Sequence, residues 1–126
     1  MIYGIGVDLV RVDRIAAALK RYGDRFRKRL FTPLEIAHCR GKSWEAAGLA
    51  LRFAAKEAFS KALGVGLRRG GIRWREVEVV PNELGKPELR LTGRAAQLCQ
   101  QAHIRGLHLT LTDEDNHALA VVVLET

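Results

Sequence analysis

The sequence is poor in cysteine, proline and aromatic side chains, and the shortages close off several classes of protein. Two cysteines, Cys39 and Cys99, are too few and too far apart for a disulfide-built secreted scaffold. Neither stands in a zinc-binding spacing, since His38 beside Cys39 has no second ligand pair. Both are expected as buried or half-buried thiols in a reducing compartment. Aromatic residues make up 6% of the chain, a meagre supply for stacking nucleic-acid bases. With three prolines there is no linker, internal repeat or low-complexity tract, so one domain over residues 1–126 is expected. No apolar run approaches membrane-spanning length; the longest, Ala118 to Leu124, reads as a strand. Met1 to Val10 lacks the basic start and cleavage site of a secretory signal, and a cytoplasmic protein with no membrane partner is expected. None of the glycine clusters runs into Gly-Lys-Ser/Thr, so there is no Walker loop. Gly64 to Gly71 neither follows a strand nor opens a helix, so a dinucleotide fold is not supported.

What is present in excess is positive charge. Among 126 residues, 21 Lys and Arg face 14 Asp and Glu, for a formal charge of +7 and a pI near 10.0. The excess is local. Eight basic residues fall between Arg11 and Arg29 against only Asp13 and Asp24, which gives this segment +6. The remaining thirteen basic and twelve acidic residues nearly balance. Hydrophobic residues at 48% and charged residues at 28% describe a folded domain, long enough to hold one core without disulfides. The basic segment therefore needs an acidic partner, and nucleic acid is one class that supplies it.

Hydrophobic periodicity places strands at both ends and in the middle, with helices between them. Ile2 to Val7 is a short apolar strand ending at Asp8, and Gly4 and Gly6 let something approach its backbone closely. Ile15, Leu19, Tyr22, Phe26 and Leu30 recur at helical spacing, with Arg11, Arg14, Arg21, Arg25 and Lys28 on a second stripe. Gly23-Asp24 can divide that run into two short helices. Thr32-Pro33-Leu34-Glu35 is a capping box that opens a helix to about Arg40. Ser43 is expected to cap the longest helix, Trp44 to Leu63, closed by Gly64. After a glycine-rich loop, Arg75 to Val80 and Glu88 to Leu91 read as strands around the turn Pro81 to Pro87. Arg94 to His103 reads as a helix. Leu107 to Thr112 and His117 to Glu125 read as strands joined by Asp113-Glu114-Asp115-Asn116. The expected class is α+β, an antiparallel sheet with a long central helix and shorter helices.

Three places carry chemistry. Asp8 is an acid at the end of a glycine-bearing strand, a position that a cap or a solvated strand end also explains. On the long helix Glu57 and Lys61 share one face, and Arg52 and Lys56 form a second stripe. Periodicity alone makes Glu57 and Lys61 a surface ion pair contributing about 0.2–0.5 kcal/mol. Asn82 to Pro87 sets Lys86 on a turn stiffened by Gly85 and Pro87, which suits a plain hairpin or a phosphate contact. Together, two carboxylates from different elements with Arg and Lys nearby suit a magnesium ion holding phosphates. Such an ion takes one or two protein carboxylates and completes its octahedron with phosphate oxygens and water.

These segments, in this order and separation, resemble a known family. Gly4-Ile5-Gly6-Val7-Asp8-Leu9-Val10 with Arg14-Ile15 after it is similar to the opening of the bacterial holo-[acyl-carrier-protein] synthases, the small single-domain 4′-phosphopantetheinyl transferases. Arg52-Phe53-Ala54-Ala55-Lys56-Glu57-Ala58-Phe59-Ser60-Lys61-Ala62-Leu63-Gly64 resembles their second signature, and Asn82 to Pro87 their Gly-Lys-Pro turn. The resemblance covers essentially the whole chain. It implies that phosphopantetheine is transferred from coenzyme A to a serine of apo-acyl carrier protein, in support of fatty acid biosynthesis. Adenosine 3′,5′-bisphosphate is the other product, and magnesium is required.

By the same resemblance Asp8 and Glu57 are the magnesium ligands, and Lys61 lies near the phosphates to stabilise or protonate the leaving group. Arg52, Gly64, Lys86 and Pro87 match coenzyme A contacts. The base for the carrier serine is left between Glu57 and a metal-bound water. Arg14, Arg21 and Arg25, with Phe26 beside them, match positions that dock the acidic carrier, an encounter that salt should weaken. The family forms trimers with sites between subunits, so Asp8 is expected to meet Glu57 of an adjacent protomer. One stretch departs from the commoner pattern: Thr110-Leu111-Thr112-Asp113 stands where many relatives have Ser-x-Ser-His, and His108 is expected to take over part of that histidine's role. The rivals are a nucleic-acid-binding module and a non-enzymatic adaptor trimer. Neither explains why Asp8, Glu57, Lys61 and Lys86 occur together, and no nucleic-acid partner is expected.

Overall fold

The computed structural model describes residues 1–67 and 70–126. The elements run β1 (Ile2–Arg11), α1 (Val12–Tyr22), α2 (Asp24–Leu30), α3 (Pro33–Cys39), α4 (Glu45–Leu63), a 3₁₀ turn (Trp74–Glu76), β2 (Val77–Pro81), β3 (Pro87–Leu91), α5 (Gly93–Gln101), β4 (Gly106–Glu114) and β5 (His117–Glu125). The class is α+β with antiparallel pairing, as expected. The strands divide into two sheets, one ordered β1-β5-β4 and the other the hairpin β2-β3.

Local sequence accounts for most boundaries. Gly23, at φ +56°, separates α1 from α2, and Gly64, at φ +83°, ends α4. The capping box opens α3: Glu35 N donates to Thr32 Oγ1, and Thr32 N donates to Glu35 Oε1 at 2.9 Å. Three expectations are corrected. Ser43 does not cap α4; Trp44 precedes the helix with no side-chain cap bond, and its indole lies hard against Gly48. β1 continues past Asp8 to Arg11 because β5 pairs with it as far as His117, and partner hydrogen bonds outlast the apolar run. Arg75 belongs to the 3₁₀ turn and not to a strand, since Glu76 Oε1 accepts from Arg73 N and Ala95 N and bends the chain there.

The core is organised around α4, twelve of whose nineteen residues are buried. Its small residues allow unusually close packing. A Cβ added to Gly6 would lie 2.7 Å from Ala62 N, and one added to Gly4 would lie 3.0 Å from the Ala62 carbonyl carbon. What approaches the two glycines is therefore the backbone of α4. Ala118, Ala120, Val122 and Leu124 of β5, together with Leu49 and Phe59, join the same buried cluster.

A polar clamp sets the rotation of this helix. Lys56 and Glu35, both fully buried, pair at 2.9 Å. Lys56 Nζ also donates to Trp74 O and Val77 O, and Glu35 Oε2 accepts from Val79 N. Burial pushes the Lys56 pKa down, and the Glu35 carboxylate opposes that shift. The pair ties α3, α4, the 3₁₀ turn and β2 together.

The face of β1-β5-β4 turned away from α4 is open, apolar along β1 and β5 and polar along β4, where His108, Thr110 and Thr112 are exposed. Ile5, Val7 and Leu9 are 61, 51 and 61% exposed, opposite Val123, Val121 and Leu119 of β5. Cys39 and Cys99 are buried free thiols whose pKa values burial raises. Among the described residues no helix is long and apolar enough to cross a membrane.

Candidate active site

Alternation along β1 puts Gly4, Gly6, Asp8 and Val10 on the face toward α4. The glycines bring the strand down onto the helix, and Asp8 is the next residue on that face. It arrives beside the turn that carries Glu57 and Lys61. Lys61 Nζ donates to Asp8 Oδ1 at 3.0 Å and to Val7 O at 3.1 Å. Asp8 is largely shielded from solvent and Lys61 is half exposed. Burial pushes the Glu57 carboxyl above the usual carboxylate range, the Asp8 charge pushes it further, and Lys61 and Arg14 pull it back.

Two expectations change here. Asp8 and Glu57 are brought together within one chain, because the β1–α4 contact is intramolecular. A neighbouring protomer is not needed to complete the acid pair. Nor is Lys61 simply the surface partner of Glu57, for its ion pair is made across to β1.

Asp8, largely shielded, and Glu57, partly buried and near enough to feel the Asp8 charge, form a site of hard oxygen donors. That donor set fits magnesium, which binds through one or two carboxylates when phosphates supply the rest. No cluster of three or more metal-ligating side chains occurs among the described residues. A protein-only cage of the calcium or zinc type is thus not what these residues build.

Arg52 lies five residues before Glu57, about 7.5 Å back along the helix axis. It is 8% exposed, its Nη1 donates to Gly48 O at 3.0 Å, and its Nε is buried without a partner among the described residues. The side chain lines a recess of about 360 Å³ with Leu34, His38, Val79, Pro81 and Arg90. Arg90 is held in place by Glu78, whose other oxygen accepts from Thr32 Oγ1. Apolar walls with three basic groups suit the base and phosphates of a nucleotide. The β2-β3 hairpin that forms one wall continues to Lys86 at its tip. There Asn82 Oδ1 accepts from Leu84 N and Lys86 N, Gly85 takes φ +84°, and Pro87 opens β3. Lys86 and Pro87 therefore belong to the recess end of the molecule and not to the β1–α4 seam. Gly64 lies one turn beyond Lys61, and its part in the fold is to end the helix.

His108 is not brought to the acid pair. Its row across the sheet is Ile5, Val123 and His108, on the face opposite Asp8, and its Nε2 lies 2.8 Å from Glu125 Oε1. In the basic segment Arg14, Arg21 and Arg25 are exposed, with no acidic partner within 4.0 Å among the described residues. Arg27 is engaged by Asp24 and Glu45, and Phe26 is half-buried with its edge toward Phe31. Phe26 is thus partly committed to the core.

Sequence reasoning missed the recess residues His38 and Arg90 and the Lys56–Glu35 clamp. For the clamp a signal existed: Lys56 stands among Ala54, Ala55, Ala58 and Phe59, apolar neighbours that a solvated lysine would not keep.

A family model of the 4′-phosphopantetheinyl transferase superfamily matches residues 4–122. The chain belongs to this superfamily. A holo-[acyl-carrier-protein] synthase of Geotalea daltonii is 47% identical over 125 residues, covering 99% of each chain. The crystal structure of the holo-[acyl-carrier-protein] synthase from Neisseria meningitidis superposes with a TM-score of 0.91 at 38% identity, over the whole of both chains. That from Helicobacter pylori, solved in complex with coenzyme A, gives 0.84 at 30% identity, over 96% of this chain and 99% of that one. As a member of the superfamily the chain is a transferase. The long helix lies wholly inside the matched span, and so does the part of β1 from Gly4 onward that carries Asp8.

Proposed function

We propose that the protein transfers the 4′-phosphopantetheine group of coenzyme A to a serine of apo-acyl carrier protein and releases adenosine 3′,5′-bisphosphate. The observation that carries this reading is the meeting of Asp8, Glu57 and Lys61 on the β1–α4 seam of a superfamily member. The names of the relatives, and the coenzyme A complex of one of them, support it.

Asp8 and Glu57 would hold magnesium, which supplies charge neutralisation at a pyrophosphate and orients it for in-line displacement. Lys61 places a mobile ammonium at the same point, suited to the charge that builds on the departing phosphate. Arg52 and the recess around it would receive the nucleotide end of coenzyme A, with Lys86 and Pro87 at the hairpin tip and Gly64 at the helix end bordering the ligand. Arg14 begins a basic face that runs outward from the acid pair through Arg21 and Arg25. An acidic carrier lying along α1 and α2 would thus present its serine beside Glu57, with Phe26 at the edge of the contact. The open apolar face with Ile5, Val7 and Leu9 suits burial against further copies, and a homotrimer is the assembly we assign to it. His108 lies on that face, so any contact it makes with a nucleotide crosses a subunit boundary.

The test is a mass measurement on apo-carrier incubated with the protein and coenzyme A, with and without magnesium. One carrier serine should gain a phosphopantetheine mass only when magnesium is present. No gain, while a known transferase succeeds in parallel, refutes the activity. Gain that persists in chelator, or in Asp8→Asn, refutes the metal assignment.

A further inference from the structure

The Lys61 ammonium holds an oxygen for which it has a competitor. It bonds Asp8 Oδ1 and Val7 O, and its side chain is 54% exposed, free to swing outward. Asp8 has no such freedom. β1 is pinned in register with β5, Asp8 opposite Ala120, and is seated on α4 through its glycines. A divalent cation on this carboxylate would lie within a few ångströms of the ammonium. At that distance, partly shielded from water, repulsion between the two positive charges is severe. While Lys61 stays on Oδ1 a cation binds weakly, even through Oδ2, and tight binding requires Lys61 to move.

We propose that Lys61 is a latch on the cation site, closed on Asp8 until a pyrophosphate-bearing substrate gives its ammonium another partner. This rests on the assignment of Asp8 and Glu57 as metal holders. The consequence is linkage. The affinity for a cation alone is reduced by the fraction of molecules in which Lys61 has left Asp8. A pyrophosphate raises that fraction by binding the displaced ammonium, and the cation in turn raises the affinity for pyrophosphate by the same factor. Lys61 thus makes a pair of carboxylates, a weak cation site by themselves, select for cation and substrate together. The motion that opens the site also delivers the lysine to the phosphates.

The experiment is Mn2+ binding, followed by the electron paramagnetic resonance of the free ion, with and without coenzyme A and corrected for coenzyme A alone. Wild-type protein should bind Mn2+ weakly by itself and more tightly with coenzyme A. Lys61→Met should bind Mn2+ alone about tenfold more tightly, which corresponds to a latch closed in about nine molecules of ten. It should also lose most of the gain from coenzyme A. Lys61→Arg keeps the charge and should bind Mn2+ alone as weakly as wild type does, and Asp8→Asn should lose binding throughout. Thermal melts establish that each variant is folded. Unchanged or weaker Mn2+ affinity in Lys61→Met, with binding still lost in Asp8→Asn, overturns the latch alone. Mn2+ binding retained in Asp8→Asn overturns the metal assignment and the latch with it.

Discussion

Replacing Gly6 with alanine tests whether the seam between β1 and α4 makes the site. The new Cβ would run into the Ala58 carbonyl oxygen, and would lie 2.7 Å from Ala62 N and 2.9 Å from the Ala58 carbonyl carbon, where ordinary contact begins at 3.4 Å. These are main-chain atoms of a buried helix, so no side chain can turn aside. Clearing Ala62 N alone parts strand and helix by about 0.7 Å, and clearing the Ala58 oxygen takes more. Overpacking of this kind costs about 1–3 kcal/mol, and a clash with backbone puts Gly6→Ala near the upper end. A chain of this length, with about 0.05–0.15 kcal/mol of stability per residue, survives that loss and folds. Activity falls for a separate reason. Asp8 shifts relative to Glu57, and misplacement of reacting groups by about 1 Å costs about 10²-fold. Urea unfolding reads the first effect and the carrier mass assay the second. Gly66→Ala is the control, since its Cβ meets nothing within 4 Å among the described residues and should stay within about 0.5 kcal/mol of wild type. If Gly6→Ala matches that control in both midpoint and rate, the seam does not position Asp8.

Three further outcomes follow from the same geometry. Glu57 titrates above its ordinary value of 4.5, so between that value and the raised one the folded state binds more protons than the unfolded, and stability falls as pH rises. Glu57→Gln, melted in chelator, should therefore be more stable than wild type at neutral pH, and the gap should close below the ordinary carboxylate range. Lys56→Met leaves Glu35 charged and buried; breaking such a pair costs about 3–5 kcal/mol, and a urea measurement showing less than about 1 kcal/mol would contradict the clamp. Arg21→Glu should raise the carrier's KM more than that of coenzyme A and flatten the salt dependence of the rate. Equal effects on both substrates would place α1 at the nucleotide instead.

The elements most legible in the sequence were those fixed by local chemistry. The Thr32–Glu35 box, the break at Gly23 and the stop at Gly64 depend on residues next to one another, and each falls where spacing placed it. The end of β1 was misplaced because its last residues, Leu9 to Arg11, are held by β5, more than a hundred residues away. The same reason hid the partner of Lys61. Glu57 is its neighbour in sequence, and Asp8 becomes its neighbour only after Gly4 and Gly6 let the strand settle on the helix. The glycines themselves mark a place of close approach. That the approaching body is α4 required the fold. The place of His108 needed the fold as well: strand alternation and the pairing with β5 put it on the face turned away from Asp8.

The charges on α4 illustrate how a residue without chemistry can decide where chemistry occurs. Each residue turns the helix by about 100°, so Arg52 and Lys56 form one stripe and Glu57 and Lys61 the next. The first stripe faces inward: Lys56 is gripped by Glu35 and by the carbonyls of Trp74 and Val77, and Arg52 by Gly48 O. Rotating the helix by a single residue would pull Lys56 out of that grip and carry Glu57 away from Asp8. The buried lysine therefore fixes the angle at which its neighbour meets β1. Stability and catalysis should then separate in one direction only. Changes at Lys61 leave the clamp untouched, whereas a change at Lys56 frees the helix to turn and disturbs Glu57 along with the core.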